Sequence, residues 1–308
     1  MITWTIGAGG LLGSAIQRNS PHSFTGPVIP WQDTTQASEL LRRTAQSFAQ
    51  AAGDSDWAVI WAAGSASTSS SAEQAALELQ TLTAVVDAVR EQPPAGVGVF
   101  FLASSAGGVY AGAENPPFDD STPPAPLSAY GELKLAQEQA ARRALEDVCS
   151  VVIGRIANLY GPGQNLDKLQ GLISRLALAS VTKQPINMFV SLDTMRDYIF
   201  TEDAAMVCLH WIAQAHRDSG HQQTIKVIAS GQPVSLAYLI HLAQDIGKVK
   251  VPIAFGSHSS SSAQALDLRL RPTDAAQIEH LIRTPLAVGT KLVYLDILER
   301  FRLASAVS

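Results

Sequence analysis

Tyr130, Lys134 and Ser105 are the side chains whose types and spacing best suit chemistry. Tyr130 and Lys134 are four positions apart, which on a helix puts them one turn apart on the same face. A free phenol ionises near pH ~10 and is a poor base at neutrality, but an ammonium one turn away favours the phenolate. Such a tyrosine can take a proton from an alcohol while hydride leaves the adjacent carbon, or give one to a carbonyl being reduced. Ser105 follows the apolar run Val97-Gly98-Val99-Phe100-Phe101-Leu102-Ala103 and would hold the same oxygen by a hydrogen bond. A Tyr-x-x-x-Lys pair arises by chance in chains of this size, so its meaning rests on its surroundings.

Those surroundings alternate strand and helix. Ile2, Trp4 and Ile6 alternate with Thr3 and Thr5, which predicts a first strand. Glycines at 7, 10 and 13 follow directly, before a helical stretch to Arg18. Small residues there let the backbone approach a pyrophosphate, and the helix N-terminus that follows offers free N–H donors, so Gly7, Gly10, Leu11, Leu12 and Gly13 are the candidate dinucleotide turn. A second strand is expected near Val28-Ile29-Pro30-Trp31. Asp33 beyond it is either the acid that bonds an adenosine ribose or a polar residue opening the next helix. No basic residue follows that strand to receive a 2′-phosphate, which leans to NAD and leaves NADP open.

Residues 57–62 read as the next strand, with Ala62 and Ala63 at its end bordering the cofactor. A Ser-rich loop over 64–71 comes next, either another border of the cofactor or a plain connector. A helix is expected over 72–91, the apolar run above reads as a buried parallel strand, and prolines between 116 and 126 mark a rigid loop. The helix carrying Tyr130 and Lys134 should run over 128–147, with a strand from 151. Alternation of this kind predicts an α/β fold, a doubly wound parallel sheet of Rossmann type. After about 163 the pattern loosens, with helices expected near 202–215, 235–246, 273–282 and 290–301, a strand at 225–228 and a mobile Ser-rich loop at 257–262. Residues 1–163 are thus read as a dinucleotide-binding domain and 164–308 as a smaller α/β substrate-binding domain, with about 196–229 returning to the sheet.

Composition sets outer bounds. A hydrophobic content of 46% against 16% charge suits a globular chain, and a net charge of −5 leaves no basic footprint for nucleic acid. No apolar stretch reaches the roughly 18 residues of a membrane span, and the first residues show no signal-type segment. Two isolated cysteines and seven histidines without metal spacing suggest buried structural residues and no metal. A soluble, reduced, cytoplasmic protein is the expectation.

Five ordered motifs then resemble one family, the extended short-chain dehydrogenase/reductases of the NAD-dependent epimerase/dehydratase type that act on nucleotide sugars. They are the glycine turn, Ser104-Ser105-Ala106-Gly107-Gly108-Val109-Tyr110, Pro126-Leu127-Ser128-Ala129-Tyr130-Gly131-Glu132-Leu133-Lys134, Arg155 to Gly163, and Arg196-Asp197-Tyr198-Ile199-Phe200-Thr201-Glu202-Asp203. The resemblance implies that Ser105, Tyr130 and Lys134 form the catalytic trio, with Lys134 also holding the nicotinamide ribose. It implies that Asn158 contacts a sugar nucleotide and Arg196 its phosphates, the alternative for Arg196 being a salt bridge to Asp197 or Glu202. Arg269 and Arg271 resemble a late motif, in which Arg271 would be a second phosphate contact. It also implies a homodimer built on helices 72–91 and 128–147.

The chain departs from the pattern in places. Ile6 stands where a Thr usually precedes the first glycine. The 4,6-dehydratases carry an Asp-Glu pair after the catalytic hydroxyl, and Ala106, Gly107 and Gly108 here argue against dehydration. An epimerase, in which the hydride is taken and returned to the same sugar, is the leading expectation, with a reductase of a keto sugar or other small carbonyl as the alternative. A non-catalytic dinucleotide sensor is the third reading, set against by the retained Tyr and Lys.

Overall fold

The computed structural model describes residues 1–67, 70–166, 171–218, 220–256 and 265–307. The chain opens with β1 (Ile2–Ile6), α1 (Leu11–Asn19), β2 (Ser23–Phe24), α2 (Thr34–Ala52), β3 (Trp57–Trp61) and α3 (Ala72–Glu91). It continues through β4 (Gly98–Ser105), a short α4 (Ala106–Val109), α5 (Ala129–Leu145) and β5 (Ser150–Ile156). Next come β6 (Asn158–Tyr160), α6 (Leu172–Thr182), β7 (Ile186–Met188), β8 (Met195–Arg196), β9 (Tyr198–Phe200), α7 (Thr201–Arg217) and β10 (Gln223–Ile228). The rest is β11 (Val234–Ser235), α8 (Leu236–Gly247), β12 (Ile253–Phe255), β13 (Asp267–Leu268), α9 (Ala275–Ile278) and α10 (Leu286–Val307).

Six strands form one parallel sheet in the order β2-β1-β3-β4-β5-β10. The central strands are apolar on both sides because both faces are covered. Ala58, Ile60, Val99, Phe101 and Val152 join α1 and α7 in one core, while Trp57, Val59, Trp61, Phe100, Leu102, Val151 and Ile153 join α2, α3 and α5 in the other. The period of two along each strand therefore deals its side chains alternately to two helical layers. The segment β9–α7–β10 packs back on this sheet, with Ile199, Ala204, Trp211 and Val227 in the first core. A third core gathers Tyr160, Tyr198 and Phe200 with residues of α6, α8 and α10. Short strands beside it form a three-stranded sheet, β11-β8-β13, and the pairs β12-β7 and β6-β9.

The second strand lies earlier than expected. The chain pairs with β1 at Ser23–Phe24, and residues 28–31 form no strand. Pro27 and Pro30 lack the N–H that a ladder needs, so the pairing ends early and the sheet keeps a very short edge. The helix expected near 273–282 is found as a short one, α9 continued by a 3-10 turn at Glu279–Leu281. Beyond them the Asp203 carboxylate accepts from the Thr284 amide at 2.9 Å and from its hydroxyl, drawing the chain into α10. Residues 257–262, and Thr68 and Ser69 of the first Ser-rich loop, lie outside the described residues. Among those described, no helix is long and apolar enough to cross a membrane.

Candidate active site

The ends of β1, β3 and β4 lie in register: Ile6 beside Trp61, and Trp61 beside Leu102, three residues short of Ser105. In an open parallel sheet, ligands bind beyond these carboxyl ends, where the strand order reverses. Here the reversal falls between β1, which leads to β2 on one side, and β3 on the other.

The glycine turn is built by close backbone contact. Gly7 adopts φ +91°, and a β-carbon on it would sit 2.6 Å from the Ala63 nitrogen and 2.7 Å from the Ala62 carbonyl. A β-carbon on Gly13 would sit 2.2 Å from the Gly7 oxygen. Ala62 and Ala63, predicted as cofactor neighbours, are thus the wall against which the turn is pressed. Gly10 caps α1 with no side-chain hydrogen bond, so no side chain caps the first-turn amides of Leu11, Leu12 and Gly13. These are the donors that a pyrophosphate requires, and the residues present fit that group.

Asp33 opens α2. Its carboxylate accepts the Gln36 amide at 3.0 Å and caps α2. Trp31, in the segment expected to be a strand, meets Trp61 edge to face with ring centroids 6.4 Å apart.

Ser105 ends β4 and caps α4, accepting the Gly108 amide at 3.1 Å. The bare Cα of Gly108 then abuts Tyr130: a β-carbon there would lie 3.0 Å from the ring. Gly131, one residue on, leaves similar room for the Gly108 carbonyl, at 2.3 Å from where its β-carbon would be. Ser128 caps α5 through the Gly131 amide. The glycines after Ser105 therefore bring the α4 turn flush against α5, and so fix hydroxyl and phenol relative to each other. Lys134 places its ammonium 5.6 Å from the centre of the Tyr130 ring. That ammonium is nearly buried, donating to Gln137 at 2.9 Å and to Glu78 of α3 at 3.2 Å.

Behind the trio lies a buried ionic network not anticipated from the sequence. Glu138 pairs with Arg155 at 2.7 Å and accepts the Ser104 hydroxyl at 2.6 Å, and Arg155 donates to the Tyr110 hydroxyl at 2.9 Å. Burial pushes the Tyr110 phenol up, with Arg155 acting against it. The available signal was spacing: Glu138 is one further turn along the Tyr130–Lys134 face.

Asn158 sits on β6, its amide side chain donating to the Asp197 carbonyl at 2.9 Å. Arg196, on β8, is 8% exposed and donates to the carbonyl of Met195 at 2.8 Å. Among the described residues it makes no ion pair. Glu202 accepts instead from Arg18 and Asn19, and Asp197 from Ser230. Burial pushes the Arg196 guanidinium below its ordinary range, with Tyr198 and Asp267 acting the other way. Burial likewise pushes the Asp197 carboxyl up to about 6, against hydrogen bonds from Ser230. Arg269 is tied to Asp267 at 2.8 Å. Arg271, largely exposed, reaches Asp119 at 3.4 Å on the proline-rich loop. Both cysteines are buried free thiols.

Fold and site together define a class, and comparison with known proteins gives its name. Residues 6–228 match the NAD dependent epimerase/dehydratase family, and the chain belongs to that family. It is 29% identical over 180 residues to the dTDP-4-dehydro-6-deoxyglucose reductase of Escherichia coli, a stretch that covers 56% of this chain and about half (54%) of that relative. In fold it matches the UDP-glucose 4-epimerase of Thermotoga maritima solved with UDP-glucose, with a TM-score of 0.78 at 17% identity, covering 98% of this chain and 100% of the other. It also matches RMD from Pseudomonas aeruginosa complexed with NADPH, with a TM-score of 0.77 at 19% identity, covering 97% and 99%.

Proposed function

We propose that this protein is an NAD(P)-dependent nucleotide-sugar epimerase in which Tyr130 transfers the proton. The observation that carries the reading is the Ser105–Gly108–Tyr130–Lys134 arrangement, in which hydroxyl, phenol and ammonium are held by one glycine-tight junction at the carboxyl end of β4. Gly7, Gly10, Leu11, Leu12 and Gly13 hold the dinucleotide pyrophosphate, with Ala62 and Ala63 behind them and the free N–H of Lys134 directed to the ribose. When bound, the nicotinamide supplies a hydride acceptor and donor. Tyr130 takes the proton from the sugar hydroxyl as it becomes a carbonyl and returns it when the hydroxyl re-forms. Ser105 bonds the same oxygen through both stages. Arg196 and Arg271 meet the phosphates, supported at Arg196 by a buried guanidinium that makes no ion pair among the described residues, and Asn158 contacts the sugar nucleotide. NAD fits the absence of a basic residue after β2; NADP is the alternative.

The second reading is a reductase of a keto sugar, favoured by the likeness to the E. coli reductase. The two differ in what the cofactor does between turnovers. Denaturing freshly purified protein and assaying the supernatant for nicotinamide dinucleotide separates them. Stoichiometric release supports the epimerase. An empty protein that binds NADH or NADPH on titration supports the reductase, and one that binds neither rejects both.

The cofactor body comprises residues 1–163 with about 196–229, and the remainder forms the substrate side. A cytoplasmic homodimer through α3 and α5 completes the proposal. Leu77 on α3 is 43% exposed and available to such an interface.

A further inference from the structure

We propose that Glu78 is a positioning residue for the catalytic pair, a buried carboxylate that ties the loop after β3 to Lys134 and sets how much of its charge reaches Tyr130. The inference rests on the assignment of Tyr130 as the proton-transfer residue.

Glu78 comes from α3, and its side chain is 8% exposed. One carboxylate oxygen accepts from the Lys134 ammonium and from the Gln137 amide, both at 3.2 Å. The other accepts the backbone amides of Ser65 and Ala66, each at 2.9 Å. All four donors come from two elements bordering the cofactor site, α5 and the Ala62–Ser67 stretch. Burial opposes the charge on Glu78, but Lys134 and the Ala66 and Ser65 amides outweigh it and hold the carboxyl below its ordinary range. The Ser-rich loop is therefore no plain connector on its near side.

Two consequences follow. A lysine ammonium has three N–H donors, and Glu78 and Gln137 take two of them. Among the described residues one is left for a further partner, so the ammonium needs no rearrangement to receive a ligand hydroxyl. The second consequence is electrostatic. A carboxylate 3.2 Å from the ammonium partly cancels its field at the phenol. Removing that negative charge favours the Tyr130 phenolate. Among the described residues, Lys134 of α5 is the charged group bonded to Glu78, and the loop contributes amides. On α2, the other helix against α3, Arg42 faces Asp87 at 3.8 Å.

Glu78→Gln tests both at once. No orientation of a glutamine satisfies every partner, because its –NH2 meets either the two loop amides or Lys134 and Gln137. Tyrosinate absorbance is titrated in the full chain with and without Tyr130→Phe, which isolates the Tyr130 signal without any turnover. The Tyr130 signal should rise at lower pH in Glu78→Gln than in the parent, by at least about half a pH unit. NADH affinity should fall about tenfold as the loop is released. Glu78→Asp keeps the charge but loses reach, so its titration should stay near the parent's while NADH affinity falls. An unchanged titration in Glu78→Gln, or the same shift in both variants, overturns the charge role; unchanged NADH affinity in both overturns the loop role. If the shift is found but no sugar nucleotide is turned over, the proposed activity has failed and the positioning role stands.

Discussion

Around Tyr130 the backbone leaves no slack, whereas around Arg196 a few short strands suffice. On the first side, a β-carbon on Gly131 would collide with the Gly108 carbonyl, and one on Gly108 would crowd the Tyr130 ring at 3.0 Å. Long buried strands and two buried ion pairs, Glu78–Lys134 and Glu138–Arg155, stand behind them. On the second side, Arg196 lies on a two-residue strand flanked by two others of the same length, its guanidinium bonded to the carbonyl of Met195 and, among the described residues, to no carboxylate. The two proposed roles account for the difference. Proton transfer needs heavy atoms placed within a fraction of an ångström, which dense backbone contact provides. Recognition of a diphosphate uses a charge whose attraction falls slowly with distance, so a buried cation on a modest support can do it.

That contrast can be broken, with the largest effects expected on the tight side. Gly13→Val would force a side chain into the Gly7 carbonyl and should abolish dinucleotide binding; calorimetric titration with NADH giving a normal isotherm would show that the turn serves another purpose. Tyr130→Phe should leave cofactor affinity intact while turnover drops by at least about a hundredfold. A variant that kept near-parental turnover would end the assignment of the base. On the looser side, Arg196→Ala should raise KM for a nucleotide sugar about tenfold, with kcat and NADH affinity little changed. Equal losses in sugar and cofactor binding would instead make Arg196 a general support of the fold.

The smallest expected effect is a pH dependence. Asp197 ionises at about 6 in the folded chain, above its ordinary value of 3.8. Its ionisation therefore costs stability as pH rises from about 4 through 6, and the cost is absent below that window. Asp197→Asn keeps an acceptor for Ser230, so its Tm relative to the parent should improve between pH 4 and pH 7.5. A constant difference across that range would exclude Asp197 from the pH response.

Much of this protein was legible from local pattern. The glycine spacing, the Tyr130–Lys134 step and the apolar runs are each written in a few consecutive residues, and the physics that reads them is equally local: small residues at tight turns, one helical turn between partners, strands buried on both faces. The edge strand was misplaced because apolar content at 28–31 outweighed the missing donors of Pro27 and Pro30. The roles of Glu78, Arg155 and Asp33 could not be read in this way. Glu78 meets Lys134 across 56 residues, and Arg155 meets Tyr110 across 45. Such pairs exist only once the sheet has set the helices side by side. The capping role of Asp33 appeared only with the start of α2, since a carboxylate serves whichever N–H donors the folded backbone brings to it. The order of short motifs determined the class of the molecule; the packing of distant helices decided which charges Tyr130 and Lys134 face.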